Sequence, residues 1–329
     1  MPTCPAPIRR LDTDAASELT ATAAKLLTLH GSATSPALLA DLPATCARLS
    51  EPLHRLLRPV DTADGLFVLR GLDVDDTGLG PTPGHWSTAG DAGALWDVTL
   101  LLVSTLMGTP IAWEGQQDGR FVHNIVPSPG HEGEQTGASS AVLLAPHTED
   151  AFHPGRAHLL LLCCMRNHDG IATTAAGVRL ADLSAGDVEQ LTRPVAPILP
   201  DDAYERARNS GERPVPVPTL FETPDGLTMR YDPAYTPLEG ADRAWREAYR
   251  RLGAELARVS VAVSLEPGDV LVVDNDLVVH GRVPFRARYD GTDRWLKRAS
   301  VRVEGRPTRP LAEHDEHGYG QAALTAWAV

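Results

Sequence analysis

Two imidazoles and a carboxylate stand in this chain where they could share a metal ion. In "APHTEDAFHPGRAHLLLLCCM" (145–165), His147 and Glu149 sit two residues apart, just ahead of an apolar run. Residues i and i+2 of a strand point to one face, so an H-x-E pair on a strand or strand end aims both groups into one cavity. Two ligands do not fix an ion. A third is offered by "DVLVVDNDLVVHGRVPF", where His280 closes an apolar strand signal. Two imidazoles and one carboxylate on one face of an octahedron form the facial triad of non-haem Fe(II) oxygenases, which leaves positions open for a cosubstrate and O2. Arg294 follows fourteen residues beyond His280. Its guanidinium could grip the distal carboxylate of 2-oxoglutarate in a bidentate pair. Arg298 comes four residues later and, in a strand, shares that face, where it could take a second carboxylate. The ordinary alternatives are satisfied structural histidines and a surface salt bridge. A zinc hydrolase would need H-E-x-x-H on a helix, and these surroundings read as strand.

The elements that must position these groups fall into two regions. "DTDAASELTATAAKLLTLHG" carries capping residues, an Ala/Leu-rich body and a closing glycine, and predicts a helix. "SPALLADLPATCARLSEPLHRLLRPV" predicts one or two short helices broken at prolines, and "DAGALWDVTLLLVSTLMGTP" (91–110) a core helix. Beyond residue 110, short apolar or alternating runs separated by Gly, Pro, Asn and Asp predict β-strands, with "EPGD" (266–269) as a hairpin-type turn. "GADRAWREAYRRLGAELARVS" (240–260) interrupts them as an amphipathic helix. The charged, proline-rich segment 199–219 reads equally as a mobile lid or a plain linker. A barrel or sandwich with helices outside, in the α+β class, fits this order.

Composition bounds the partners. The 329 residues are 43% hydrophobic, with a net charge of −13, which argues against nucleic acid and anionic membranes. No apolar run is long enough to span a bilayer, and the first residues lack a signal-peptide core, so a cytoplasmic location is expected. Cys4, Cys46, Cys163 and Cys164 show no metal-binding spacing and read as structural thiols.

Taken together, "QQDGRFVHNIVPSPGHEGEQTGASSAVLLAPHTEDAFHPGRAH", "TMRYDPAY" and "DLVVHGRVPFRARYDGTDRWLKR" resemble the clavaminate synthase-like family of Fe(II)/2-oxoglutarate-dependent oxygenases. The similarity is to its branch of free amino-acid hydroxylases acting on arginine, asparagine or lysine, covers roughly residues 90–305, and rests most specifically on "HTEDAFHP". The resemblance implies a double-stranded β-helix (jelly-roll) core over 111–305, a mainly helical flank over 1–110, and one oxygenase domain over 1–329. It implies iron held by His147, Glu149 and His280, with Arg294 clamping 2-oxoglutarate, assisted by Thr173 or Thr174. Gln116 or Gln117 would meet the substrate's α-amino group, Arg298 its α-carboxylate, and Asp232 the far end of its side chain.

Ala145, Pro146, Gly155 and His158 depart from the family's usual residues, and no second acid stands beside Asp232. These departures touch the substrate pocket rather than the iron site. The implied reaction is hydroxylation at C3 or C4 of a free polar or basic L-amino acid, with O2 and 2-oxoglutarate consumed and succinate and CO2 released. Desaturation or cyclisation at the same iron is the alternative, and a non-catalytic jelly-roll that binds a small ligand the distant one. Asp150 is expected on the opposite strand face in a structural role, His153 in packing or beside the ligands, and His123, His131 and His168 without function. Trp96, Trp245 and Trp295 are expected in the core.

Overall fold

The structure, a computed structural model, describes residues 6–62, 64–91, 93–204, 211–306, 309, 313 and 316–327. Cys4 and the 205–210 portion of the expected lid lie outside them.

The N-terminal helical signals are realised. Helix α1 (Thr13–His30) starts where the Asp12 carboxylate accepts the Ala15 N–H at 2.8 Å and stops at Gly31, whose φ of 76° suits a residue without Cβ. Helices α2 (Pro36–Cys46) and α3 (Glu51–Leu56) follow. Pro43 sits inside α2 and does not end it. The hydrogen bond it forfeits is offset by burial of Leu38, Leu39, Leu42 and Cys46 on the core face, and the break falls later, ahead of Pro52. After the short α4 (Asp76–Leu79), α5 (Ala94–Met107) is buried on nearly every side, as its apolar sequence requires.

Two sheets face one another. The larger runs β1 (Ile8–Arg10), β2 (Leu66–Arg70), β11 (Val270–Asp274), β6 (Leu159–Arg166), β13 (Trp295–Arg302), β3 (Thr109–Trp113) and β14 (Ala323–Thr325), with β4 (Val122–Ile125) paired to the first half of β13. The smaller runs β10 (Val261–Val263), β7 (Thr173–Gly177), β12 (Val278–Arg282) and β5 (Leu144–His147). A separate hairpin joins β8 (Leu220–Thr223) to β9 (Gly226–Met229). Strands β1 and β2 come from within the region expected to be mainly helical. The expected hairpin at "EPGD" is corrected: β10 and β11 belong to different sheets, so the turn hands the chain from one sheet to the other. Gly268 in that turn, at φ 88°, lies so close to Leu72 that a Cβ would come within 2.0 Å of its carbonyl oxygen.

Strand alternation divides the core. Leu159, Leu161, Cys163, Val270, Val272, Trp295 and Val301 pack against α1, α2 and α5. Their neighbours Leu160, Leu162, Cys164, Leu271, Val273 and Leu296 point between the sheets, toward Ala175 and Val278. That is why "LLLLCCMR" is apolar without alternation: both faces of β6 are covered. Helices α6 (Ala185–Leu191) and α7 (Arg243–Val259) cover the outside of the smaller sheet through Trp245, Tyr249, Leu252 and Leu256. Trp96, Trp245 and Trp295 are core residues, and Cys46, Cys163 and Cys164 are buried free thiols. Among the described residues, no helix is long and apolar enough to cross a membrane.

One charge breaks the helix-facing side of β13. Lys297, fully buried, donates to Asp97 of α5 at 2.5 Å and to Asn124 of β4 at 3.0 Å. Removing one partner strands the other, so Lys297→Ala should cost about 3–5 kcal/mol, read as a lower urea midpoint. Replacing both by apolar residues, Asp97→Leu with Lys297→Met, should recover most of that loss; a double variant no better than the single one would contradict the pairing.

Candidate active site

The two imidazoles meet through strand register. Strand β12 lies between β7 and β5, and His280 pairs directly with His147 across the β5–β12 ladder, ring centroids 4.4 Å apart. Gly281 permits this approach, since a Cβ there would meet the Leu144 carbonyl oxygen at 2.5 Å. The expectation that H-x-E lies on one strand is corrected: β5 ends at His147, and Glu149 stands in the following turn. There the buried Asn275 side chain substitutes for a pairing strand. It accepts the Glu149 N–H at 2.8 Å and donates to the Glu149 carbonyl at 3.0 Å.

The donor atoms of His147, Glu149 and His280 all lie within 4.8 Å of one another. Glu149 Oε2 is 3.3 Å from His280 Nε2 and 3.8 Å from His147 Nε2. It is buried, with no hydrogen-bond partner among the described residues. The Ala145 carbonyl lies 2.8 Å from His147 Nδ1, which places the ring proton there and turns the Nε2 lone pair inward. An orphaned carboxylate oxygen facing two imidazole nitrogens is the donor set a divalent metal requires.

Titration agrees. Burial would raise Glu149, yet Arg298, His147 and His280 hold it well below the usual carboxylate range. Burial would lower His147, yet Glu149 and Asp232 push it up to about 9, while burial and that neighbouring charge lower His280. Glu149 and Asp232 thus favour a positive charge at His147, beside the point where the three donors converge.

These residues line a cavity of about 760 Å³ between the sheets, which also receives Gln116, Gln117, Thr173, Asp232, Arg294 and Arg298. At one end, Arg294 donates to Thr173 Oγ1 at 2.8 Å, its Nε has no partner, and no carboxylate among the described residues pairs with it. Burial lowers its pKa to about 10. Thr173 faces the cavity, whereas Thr174, next along β7, takes the opposite face and does not line it. Arg282 lines the same end and spends its guanidinium on the Ser139 and Val142 carbonyls and the Ser139 hydroxyl. At the other end, Arg298 contacts Glu149 Oε1 and donates to Gln116 Oε1 at 2.9 Å and His123 Nδ1 at 2.8 Å. Gln117 instead clamps the Asn124 backbone through both amide atoms at 3.0 Å.

Asp150 departs from its expected place. It sits at φ 52°, off any strand, and lines the cavity, held by Trp113 Nε1 at 2.6 Å and the Tyr204 hydroxyl at 2.5 Å. Asp201 and Asp202, from the described start of the 199–219 segment, line it too. Burial and neighbouring acids push Asp150 to about 6 and Asp201 to about 7; Asp232 is pushed to about 6 by burial. No second acid adjoins Asp232 in sequence, but folding supplies several. Apart from Asp232, nothing in the sequence marks this acidic wall, and for His123 and Arg282 only strand parity (His123 two from Ile125, Arg282 two from His280) carries a signal. His153 packs on Trp113, centroids 4.4 Å apart, and lies 3.0 Å from the Gln321 carbonyl. His131 pairs with Glu134 and His168 with Asp76 at the surface.

Comparison with known proteins points one way. Residues 97–300 match the family model described as "Taurine catabolism dioxygenase TauD, TfdA family". Enduracididine beta-hydroxylase of Streptomyces hygroscopicus is 38% identical over 270 residues, 74% of this chain and 79% of that protein. Clavaminate synthase 2 of Streptomyces clavuligerus is 32% identical over 284 residues, 84% of this chain and 85% of that one. Among solved structures, the non-heme iron oxygenase OrfP, crystallised with Fe, succinate and (3R,4R)-dihydroxy-L-Arg, superposes with a TM-score of 0.82. It is 38% identical, covering 90% of this chain and 94% of that one. The expected likeness to clavaminate synthase-like hydroxylases is borne out.

Asp232 offers a pH test of the acidic wall. Its carboxyl is raised from 3.8 to about 6, so the stability it contributes is complete below the lower value and lost as pH rises through the upper. Asp232→Asn keeps the acceptor for the Ala234 and Tyr235 N–H groups. The variant should therefore be more stable than the wild type at about pH 8, by on the order of 3 kcal/mol at most, and indistinguishable below about pH 4. Thermal melts across that range decide it; an equal gain at both ends would mean the shift is absent.

Proposed function

This chain belongs to the TauD/TfdA dioxygenase family, and on that premise we propose that it hydroxylates C3 or C4 of a free polar or basic L-amino acid, using Fe(II), O2 and 2-oxoglutarate and releasing succinate and CO2. The observation that carries the reading is the orphaned Glu149 oxygen facing His147 and His280, in a cavity shared with an Arg294 that has no acid partner among the described residues. The two facing sheets are read as a double-stranded β-helix over 111–305, with 1–110 as flank, within one oxygenase unit in the cytoplasm. The lid proposed over 199–219 is supported by Asp201 and Asp202 at the cavity and by the bond from Tyr204 to Asp150.

The geometry supports a role for each of these groups. His147, Glu149 and His280 would hold the iron, and Arg294 with Thr173 the distal carboxylate of 2-oxoglutarate. Iron with 2-oxoglutarate bound supplies O2 activation and the oxidising power to replace an unactivated C–H by C–OH. The rest is positioning. Arg298 and Gln116 would meet the α-carboxylate and α-amine of the substrate, and Asp232 with Asp150, Asp201 and Asp202 would favour a cationic or donor-rich side-chain end. Ile125, Leu144, Leu162 and Leu296 also line the cavity, and their apolar surface would help keep water from the carbon to be oxidised.

Purified protein given Fe(II), ascorbate and 2-oxoglutarate should be screened against the proteinogenic amino acids and their biosynthetic relatives. Succinate should form in step with a product one oxygen atom heavier than its substrate; a product two hydrogens lighter would mean desaturation. His147→Ala should abolish turnover and weaken iron binding, and Arg294→Met should raise the KM for 2-oxoglutarate by about tenfold or more. Normal turnover in the His147 variant would refute the ligand assignment.

A further inference from the structure

His123 is a buried histidine outside the ligand set, directly opposite Arg298 in the β4–β13 ladder. Directly paired residues of antiparallel strands share a face, so the ring lies on the cavity side, behind the guanidinium. Both hydrogens of Arg298 Nη2 are spent, one on Gln116 Oε1 at 2.9 Å and one on His123 Nδ1 at 2.8 Å. Nη1 is the group left to reach Glu149 Oε1. A guanidinium is planar, so fixing Nη2 at two acceptors fixes where Nη1 points. His123 can accept only while Nδ1 carries no proton; a protonated Nδ1 would set two N–H groups against each other. Burial and the Arg298 charge keep the ring neutral, lowering it to about 3 against the opposing effects of the Glu149 charge and a hydrogen bond to the Arg120 backbone.

Building on the hydroxylase reading, we infer that His123 is a positioning residue: a neutral, single-tautomer acceptor that aims Arg298 at the outer oxygen of Glu149. Held so, Arg298 occupies Oε1 and leaves Oε2 to the metal, and it binds Gln116 by its carbonyl oxygen, leaving that amide nitrogen for another partner. Without the imidazole acceptor, Nη2 keeps one partner, the guanidinium plane is free to turn, and the amino-acid end of the cavity loses its fixed geometry. The 2-oxoglutarate end, built on Arg294 and Thr173, is untouched.

The test compares His123→Leu, which removes the acceptor, with His123→Asn, whose amide oxygen can stand where Nδ1 stood. The leucine variant should raise the amino-acid KM by about tenfold or more and leave the 2-oxoglutarate KM within about twofold, and asparagine should recover most of the loss. A leucine variant with the wild-type amino-acid KM, or an asparagine variant no better than leucine, would overturn the inference. Nitrogen NMR of 15N-histidine-labelled protein without added iron or substrates supplies an independent readout, with His123 assigned by its loss in the asparagine variant. Nε2 should carry the proton and Nδ1 none at neutral pH; a proton on Nδ1 would also overturn it. Wild-type protein that oxidises no amino acid would refute the hydroxylase reading instead, while the tautomer measurement would still judge His123.

Discussion

A buried carboxylate governs the arrangement of this molecule. Glu149 is 4% exposed and stays ionised, and an uncompensated charge at that depth costs several kcal/mol. Compensation reaches it from three directions. Arg298 arrives on β13 of the larger sheet, His280 on β12 of the smaller, and His147 from the end of β5, two residues before it. Each lies on the inner face of its element, so the charge can be satisfied only where the two sheets face each other. The sheets are held at that spacing by an apolar layer (Leu160, Leu162, Val273, Val278, Leu296) that supplies area but no direction. The carboxylate and its partners supply the direction.

The turn holding Glu149 explains a second feature. Once β5 ends, the backbone there loses a ladder partner, and an unpaired buried N–H is costly. Asn275, fully buried between β11 and β12, answers with a side-chain amide that bonds the Glu149 N–H, the Glu149 carbonyl and the Ala157 carbonyl. One amide thereby ties the turn to the crossover that delivers His280. Arg156 and Arg230 extend the hold through Glu313, Glu316 and Asp276, bringing the C-terminal stretch against the same turn. The site rests on polar bonds of fixed geometry because apolar packing alone tolerates sliding by fractions of an ångström that metal ligation does not.

What was legible in the sequence followed periodicity and spacing. The helices, the long strands β6 and β13, and the set His147, Glu149, His280 and Arg294 could be picked out because each is local or sits at the end of a clear apolar run. Parity alone would have separated Thr173 from Thr174 had the strand register been known, and register is a long-range property. The same limit hid β1 and β2, which are strands because β11 offers an edge, and made "EPGD" look like a hairpin when its flanking strands pair elsewhere. Asp150, Asp201 and Asp202 are distant in sequence from Asp232 or lie in turns, so no pattern marked them as one wall.

That wall gives the cavity a polarity. At one end Arg282 and Arg294 are buried without an acid partner among the described residues, and burial lowers both to about 10. At the other, Asp150, Asp201 and Asp232 are raised to between about 6 and about 7, because carboxylates crowded out of water resist ionising together. Each end therefore favours a ligand charge of the opposite sign. A small diacid gains at the arginines and would lose among the carboxylates, and a basic amino-acid side chain gains and loses in reverse. At an effective dielectric near 20, one unit charge 4 Å from another contributes about 4 kcal/mol, far more than a methylene's worth of apolar contact. Two ligands of similar size are then sorted by charge before shape matters, and the donors of Glu149, His147 and His280 lie between the two poles, where the sorted ligands would meet.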